Sequence, residues 1–505
     1  MKNTNQRKAG ALLSYVNLGI SCIIPMIYTP VMLEILGQEE YGVYSLANSV
    51  ISYLGLLNFG MGSAVVRYAA KYRTEGKPEE VQKLMGIFFR IYCFLAIIVC
   101  VVGFCLVIKA DVFFSKGLTT NEIKRLRILM VILIFSTAIS LPASIYSSIV
   151  SAYERFIFAK TLGIGGTILS PVLNLIVLHF GYTSIGIAVI SFCIQVINIC
   201  IYGIYCYKKI GLYPKFEKIP RWFLKEIWTF SSFVFFSAVV DLLYWATDKV
   251  LLGALLGSAA VAIYNVGGTF TAMLQNMSQS ISNMFTPKVM AMAAKNSPIS
   301  EVSALLIRIG RLQFYIVSFI LSGYIVFGQR FLLFWAGENY GEAYYVALLT
   351  MIPLSVPLIQ SIAYSTIVAR NKHRFRAIIY AVIAVVNIVT TYFMIPKFGV
   401  IGAAICTAVA YAVGNGLIMN LYYCRIIKLD IIGFWKNIGK ISIVPVVMIL
   451  GGYSIVNIVL KLDKLLFFIA SIVIYSILFW IFIWLFSMNQ YEKDLFKGII
   501  RKFIT

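Results

Sequence analysis

Histidine is almost absent. His179 and His373 are the two copies in 505 residues, too few and too separated for a metal centre. Charge is scarce as well: Asp, Glu, Lys and Arg make up 12% of the chain, about half the share of a soluble domain. A surface so poor in charge excludes a largely water-facing protein. Acid is the scarcer sign, 20 residues against 43 bases. No GxxxxGK[ST] loop occurs, so an ATP-driven pump would need a separate subunit. HExxH is absent, and no Ser-His-Asp set sits on an aqueous segment. The nine cysteines, Cys22, Cys93, Cys100, Cys105, Cys193, Cys200, Cys206, Cys406 and Cys424, form no CxxC pair. They lie in or beside apolar runs, as small packing residues do, and offer no disulfide framework. The GIGG at 163–166 falls within an apolar run and reads as helix packing.

What is abundant is hydrocarbon. Sixty per cent of residues are hydrophobic and mean hydropathy is +0.88. A membrane-spanning helix needs about 20 apolar residues. Spans are expected at 10–33, 41–66, 84–108, 127–150, 159–180, 184–206, 227–252, 260–287, 309–330, 344–369, 377–395, 399–424, 441–460 and 465–487. The expected fold is therefore an all-α integral membrane protein of about fourteen transmembrane helices, with no room for a large soluble domain. Pro25, Pro30, Pro142, Pro171, Pro353 and Pro357 fall inside these spans, where neighbouring helices can satisfy the freed backbone groups.

The net charge of +23 reads as a membrane signal rather than a nucleic-acid one, because the bases gather in alternate loops. With the N-terminus inside, about 32 of the 43 lie on cytoplasmic segments and about nine outside. Both termini are then cytoplasmic. The polar start MKNTNQRKAG runs into the first span without an A-x-A site, as an uncleaved helix does. One outer segment breaks the rule, with Lys109, Lys116, Lys124, Arg125 and Arg127.

The chain resembles itself at an offset of about 216–220 residues. LGQEEYGVY (36–44) matches LGSAAVAIY (256–264), and IYSSIV (145–150) matches AYSTIV (363–368). Arg155-Phe156 follows the first of the latter pair and Arg374-Phe375 the second. LNLIV (173–177) matches VNIVT (386–390), pairing Asn174 with Asn387, and IGIA (185–188) matches IGAA (401–404). Six helices per unit keep both copies in the same orientation, which makes a parallel pseudo-two-fold repeat. The expected domains are an N-lobe at 1–215, a C-lobe at 216–430, and a helix hairpin with a cytoplasmic tail at 431–505. Two such lobes across a cleft suit alternating access.

A charge at mid-bilayer costs roughly 2.5–3.5 kcal/mol unless it faces protein or water. The seventh span carries Asp241, Asp248 and Lys249. Asp241 and Asp248, about 10 Å apart along the axis, share a face with Ser237 and Tyr244. That stripe either lines a cleft or forms a structural ion pair between helices. The eighth span is the most polar, with Asn265, Thr269, Gln275, Asn276, Gln279, Ser280, Ser282 and Asn283. So many amides and hydroxyls exceed what helix association needs and suit a wet lining for a hydroxyl-rich ligand such as a sugar chain. Span one adds Ser14, Asn17, Ser21 and Tyr28, and span two adds Asn48, Ser52 and Asn58. Arg67, Arg90, Arg308 and Arg311, near the inner mouth, either bind phosphate or anchor the helices to lipid phosphates.

LGQEEYGVYSLANSVISYLGLLNFGMGSAVVRYAAKY (36–72) resembles the second-helix signature of bacterial polysaccharide flippases. DKVLLGALLGSAAVAIYNVG (248–267) is similar to the pattern ahead of their eighth helix, with Ala262 where glycine is usual. These flippases belong to the multidrug/oligosaccharidyl-lipid/polysaccharide exporter superfamily and export lipid-linked O-antigen, capsule or teichoic-type units. The resemblance implies transfer of an undecaprenyl-diphosphate-linked oligosaccharide to the outer leaflet of the bacterial inner membrane. It implies Arg67, Arg90 and Lys249 as diphosphate candidates, and Glu34, Asp241 and Asp248 as carriers of a coupling proton or cation. Related lipid II flippases use several arginines in the first two helices; here span one has none and span two has only Arg67. No cofactor is implied; the drive is an H+ or Na+ gradient or the membrane potential. The implied partners are the lipid-linked substrate, membrane lipids, and the polymerase and glycosyltransferases of the same pathway, with no nucleic acid. Two other readings are a drug or organic-cation antiporter of the same superfamily and a membrane polysaccharide polymerase, for which the outer loops are short.

Overall fold

The computed structural model describes residues 3–217, 226, 231, 235, 238–239, 242–243, 246–370, 372, 374–456 and 465–504, with side chains from Leu13 to Lys497 apart from Tyr15. Every regular element among them is helical. In chain order they are α1 (Asn3–Leu36), α2 (Gln38–Gly55), α3 (Met61–Thr74), α4 (Pro78–Ile108), α5 (Ala110–Phe114), α6 (Thr120–Ala152), α7 (Phe156–His179), α8 (Ser184–Tyr205) and α9 (Thr247–Leu255). There follow α10 (Ser258–Ala294), α11 (Ile299–Ala336), α12 (Ala343–Ile359), α13 (Ser361–Ala369), α14 (Arg374–Tyr411), α15 (Asn420–Arg425), α16 (Ile431–Ser454), α17 (Leu465–Phe482) and α18 (Gln490–Ile504).

Among the described residues, eleven helical stretches are long and apolar enough to cross a membrane. Their outer faces invert the arrangement of a soluble protein: Ile97 is 63% exposed, Ile108 68% and Leu466 77%. Burying one such side chain is worth about 2 kcal/mol, so surfaces of this kind belong in hydrocarbon. The chain is an all-α, multi-pass membrane protein.

The structure modifies the expected boundaries at residues 55–61 and 395–399. The helix expected across 41–66 stops at Gly55, passes through a 3-10 turn at Leu56–Asn58, and restarts at Met61. Phe59 (φ 50°) and Gly60 (φ 63°) are both left-handed, and a glycine adopts that conformation at no steric cost. The expected break between 395 and 399 is a kink within α14. Gly399 there has φ 62° and ψ −141°, three residues after Pro396. Unkinked, 38 residues of helix would reach about 57 Å, nearly twice the hydrocarbon thickness. The six prolines singled out above all lie inside helices.

Contacts gather the chain into two compact units, Met1–Asn265 with Ile395–Gly399, and Val266–Met394 with Val400–Thr505. In the first, α6 is the hub, packing on α2, α3, α4 and α8, while α1 packs along α7. The start of α2 crosses the start of α10 almost backbone to backbone. A Cβ on Gly42 would lie 1.9 Å from the carbonyl oxygen of Ser258. Leu36-Gly37 and Leu256-Gly257, matched in the internal repeat, form similar junctions, with Gly37 at φ 75° and Gly257 at φ 101°.

The basic outer segment acquires a physical explanation here. Arg125 pairs with the buried carboxylate of Glu40, which also accepts the backbone N–H and hydroxyl of Ser184 at the start of α8. Arg127 pairs with Asp111 and donates to the carbonyls of Val107 (3.1 Å) and Ile108 (3.4 Å). Glu122 closes a capping box with Thr119 and accepts from Ser258. Two of the five bases in this segment, Arg125 and Arg127, are thus paired locally.

In the second unit α11 is the hub for α12, α13, α16 and α17. Arg311 on this helix is buried and bound to Glu492 of α18, at 2.6 and 2.8 Å, to the Tyr315 hydroxyl at 2.9 Å, and to the Ser487 carbonyl at 2.9 Å. Burial pushes the Glu492 carboxyl up, but the hydrogen bonds from Arg311, the Asn489 backbone and Tyr315 outweigh it and hold it below its ordinary value.

Gly42→Ala is expected to cost about 3 kcal/mol through overpacking against rigid backbone, while Gly19→Ala, which meets open space, is neutral. Thermal unfolding in detergent checks both. Glu492→Gln strands a buried guanidinium and is expected to cost about 3–5 kcal/mol. Because the Glu492 carboxyl is depressed in the folded state, its contribution is complete above the ordinary carboxylate range. It fades as pH falls through the lower, folded value. A wild-type protein whose acid-induced destabilisation matches that of Glu492→Gln would contradict this.

Candidate functional site

The first unit carries an open cavity of 540 Å³. Its walls are Tyr28 and Met32 of α1, Tyr41, Tyr44, Ser45, Asn48, Ser49 and Ser52 of α2, Ser170 and Asn174 of α7, and Ser191 of α8. Leu242, Ala246 and Lys249, with Asn265 near the start of α10, complete it. The α2 wall follows from spacing. Ser45, Asn48, Ser49 and Ser52 recur every three or four residues and so share one helical face.

Internal bonds occupy only part of this polarity. Asn48 donates to the Tyr44 carbonyl at 2.9 Å, Ser49 to that of Ser45 at 2.9 Å, and Ser52 to that of Ser49 at 2.6 Å. The hydroxyl oxygens keep their lone pairs. Asn265 joins two walls: its Oδ1 accepts from the Lys249 ammonium and its Nδ2 donates to the Tyr41 hydroxyl. Asn174 Oδ1 is buried with no donor among the described residues. An unsatisfied buried acceptor costs about 1–3 kcal/mol, which a water or a ligand hydroxyl in the cavity would recover. Lys249 is the one charged group among the described lining residues. The site therefore offers amides, hydroxyls, tyrosine faces and one cation, a set suited to sugars and anions.

The structure brings together Tyr28, Asn48, Ser52, Lys249 and Asn265 of the residues singled out from sequence. Asp241 and Tyr244 lie outside the described residues. Asp248 is buried beside the cavity wall, where its carboxylate accepts from Tyr264, and Glu34 is exposed near the end of α1. Asn17, higher on α1, is half-buried and not in the lining, with its Oδ1 lacking a donor among the described residues.

The basic candidates are dispersed. Arg67 is exposed on α3. Arg90 is half-buried on α4, donates to the Glu217 carbonyl, and stands 5.9 Å from the Phe216 ring centre. Arg308 lies 4.2 Å from the Tyr491 ring centre. Arg311 is engaged by Glu492, a partner 181 residues away that its own helix does not reveal, so its donors are used in holding α18.

Thr269, Gln275, Asn276, Gln279 and Asn283 belong to the second unit, where α10 sorts its polar side chains onto two faces. On the packed face Thr271 bonds Thr350 at 2.7 Å, and Gln313 of α11 donates to Ser282 at 2.7 Å while accepting from Ser361 at 2.9 Å. On the other face Asn276, Gln279 and Asn283 are exposed, and Thr269 and Gln275 half-buried.

Sequence reasoning missed Tyr41, Tyr44, Ser45, Ser49, Ser170, Asn174 and Ser191. The helical spacing of Ser45 and Ser49 with Asn48 and Ser52 carried a usable signal, and so did the repeat that pairs Asn174 with Asn387. Ser170 and Ser191 carried none.

If the cavity is wet, Asn48→Cys and Ser52→Cys, built without the native cysteines, are labelled rapidly by a charged thiosulfonate. Leu46→Cys, on the fully buried face, is not. Equal inertness of all three would mean a dry interior.

Residues 8–287, more than half of the chain, match the family model described as polysaccharide biosynthesis protein. The putative O-antigen transporter of Shigella flexneri is 23% identical over 398 residues, covering 77% of this chain and 90% of that protein. Among solved structures, a lipid II flippase MurJ in an inward closed conformation superposes with a TM-score of 0.73 at 15% identity, covering 94% of this chain and 98% of that one. An inward-facing multidrug resistance MATE family transporter of the MOP superfamily gives 0.61 at 13% identity, covering 84% and 99%. The helical fold, the membrane-facing surface and the family match agree: this chain belongs to the polysaccharide biosynthesis protein family.

Proposed function

We propose that this protein is a flippase that carries a polyprenyl-diphosphate-linked oligosaccharide from the cytoplasmic to the outer leaflet for cell-surface polysaccharide export. The observation that carries the reading is the cavity of hydroxyls, amides and tyrosines with Lys249 as its charged group, built into a membrane-embedded helical unit. Sugars need many moderate hydrogen-bond partners, and a diphosphate needs a cation. The names of the relatives point the same way: one is an O-antigen transporter, the other a lipid II flippase. Export of a lipid-linked unit is transport, with no bond made or broken by the protein. The exposed amides of α10, Asn276, Gln279 and Asn283, fit the reading, because such groups are costly against lipid and favourable against water.

We further infer fourteen spans. The eleven apolar stretches become twelve when the Arg374–Arg425 stretch is divided at its Gly399 kink. The polar α10 and the segment around 227–252 supply the other two. Two six-helix lobes at 1–215 and 216–430, followed by a hairpin and tail at 431–505, would then rock in alternating access, driven by an ion gradient or the membrane potential. Asp241, Asp248 and Glu34 remain the proposed ion carriers. The inner membrane, cytoplasmic termini, and a polymerase and glycosyltransferases as pathway partners belong to the same proposal.

The likeness to a multidrug transporter raises organic cations as a second substrate class. A cavity whose described lining carries a cation and no acid disfavours them.

Proteoliposomes containing a fluorescent polyprenyl-diphosphate oligosaccharide decide between these readings. Wild-type protein is expected to expose the label to an external quencher, and Lys249→Gln to slow this about tenfold, the worth of one charge-assisted hydrogen bond. Accumulation of ethidium without any movement of the lipid would favour the antiporter. Asp241→Asn and Asp248→Asn variants that flip at wild-type rates across pH and sodium gradients would remove them from coupling.

A further inference from the structure

Near the start of α14, a guanidinium sits among tyrosines, with no carboxylate paired to it among the described residues. The centre of the Arg376 group lies 4.0 Å from the Tyr364 ring centre on α13 and 4.5 Å from that of Tyr380 on its own helix. Tyr423 of α15 is the third ionisable neighbour that acts on it. Tyr380 and Tyr423 are buried, Arg376 is half-buried, and Tyr364 is 43% exposed, so one side of the cage is open.

The surrounding contacts fix this geometry. Phe375 stacks on Tyr422 with ring centres 4.5 Å apart and planes 9° from parallel. The Tyr422 hydroxyl donates to the Lys372 carbonyl at 2.9 Å, and Arg370 donates to the Ser297 carbonyl at 3.2 Å. The Tyr380 hydroxyl is tied to Asn415. The cage thus belongs to the packed part of the second unit, unlike the exposed side chains of Lys372 and Arg374 beside it.

A guanidinium presents five N–H donors in one plane. Phenol rings satisfy its face by cation–π attraction, worth about 0.5–2 kcal/mol, and Tyr380 also hydrogen-bonds it, but no carboxylate pairs with it among the described residues. Partial burial of a cation normally calls for a counter-ion. At the end of a membrane helix the abundant anion is lipid phosphate, and tyrosines are enriched at that depth. A phosphate fits the planar edge of an arginine bidentately.

We propose that Arg376, framed by Tyr364, Tyr380 and Tyr423, is a binding site for the phosphate group of a membrane lipid. The phosphate has two sources of the same chemistry, an anionic phospholipid and a polyprenyl diphosphate. The second rests on the flippase reading above; the first does not.

The test uses full-length protein in neutral detergent, with native mass spectrometry counting bound lipid. The probes are dioleoyl phosphatidylglycerol, geranylgeranyl diphosphate and inorganic pyrophosphate. Wild type is expected to retain one lipid that Arg376→Gln holds about tenfold more weakly, the worth of one charge-assisted hydrogen bond. Arg376→Lys, which keeps the charge and loses the planar fork, falls between them. Tyr364→Leu opens the cage without touching the charge and weakens binding as well, so it decides the matter should Arg376→Gln fail to fold. Capture of phosphatidylglycerol identifies a structural lipid, and preference for the diphosphate over it identifies a loading site for the transported lipid; either supports the site. Competition by pyrophosphate shows that the phosphate group is what is recognised. Equal binding of both lipids by wild type, Arg376→Gln and Tyr364→Leu overturns it, whatever the flipping assay reports. Flipping that persists in Arg376→Gln after lipid binding is lost leaves both the site and the transport reading standing.

Discussion

Hydrocarbon solvates no polar atom, and the rest of this structure depends on that constraint. Every amide, hydroxyl and charge carried into the membrane must meet a partner within the protein or in water that the protein admits. The two faces of α10 illustrate both solutions. Thr271 and Ser282 are closed against Thr350 and Gln313, while Asn276, Gln279 and Asn283 remain open. The cavity of the first unit holds both solutions side by side: Asn174 Oδ1 has no donor among the described residues, while Asn265 bridges Lys249 to Tyr41.

The same constraint governs the charges. Glu40 is buried, yet it binds Arg125 and the first N–H of α8, so one carboxylate serves as ion-pair partner and as a cap supplied by another helix. Arg311 and Glu492 do the corresponding work in the second unit. Basic residues that sequence reasoning groups together as a phosphate-binding set are therefore unequal. Arg311 is spent on the fold, and Arg67 stands exposed on its helix. Function has to be sought among cations whose neighbours leave donors to spare.

Much of the fold was legible in the sequence because hydropathy is a local property: twenty apolar residues report a span whatever surrounds them. One pair of matched positions can be followed into the structure: Gly37 and Gly257 both adopt the positive φ that a sharp junction between helices requires. The left-handed pair at Phe59-Gly60 was not legible, because glycine inside an apolar run is also common in unbroken membrane helices. About a third of the cavity lining, namely Tyr28, Asn48, Ser52, Lys249 and Asn265, could be read from the sequence. Ser170 and Ser191 could not, since a lone serine in a span is ordinary. Partnerships over long sequence separations were the least legible. Nothing near Arg311 announces Glu492, and nothing near Arg125 announces Glu40.

The bond between Arg311 and Glu492 has a consequence for how the protein is made. The arginine enters the bundle on α11, long before its counter-ion leaves the ribosome on α18. Until α18 arrives, the nascent bundle harbours an uncompensated positive charge, and a product released short of residue 492 harbours it permanently. Cellular proteolysis thereby has a physical basis for recognising products cut off between the two helices.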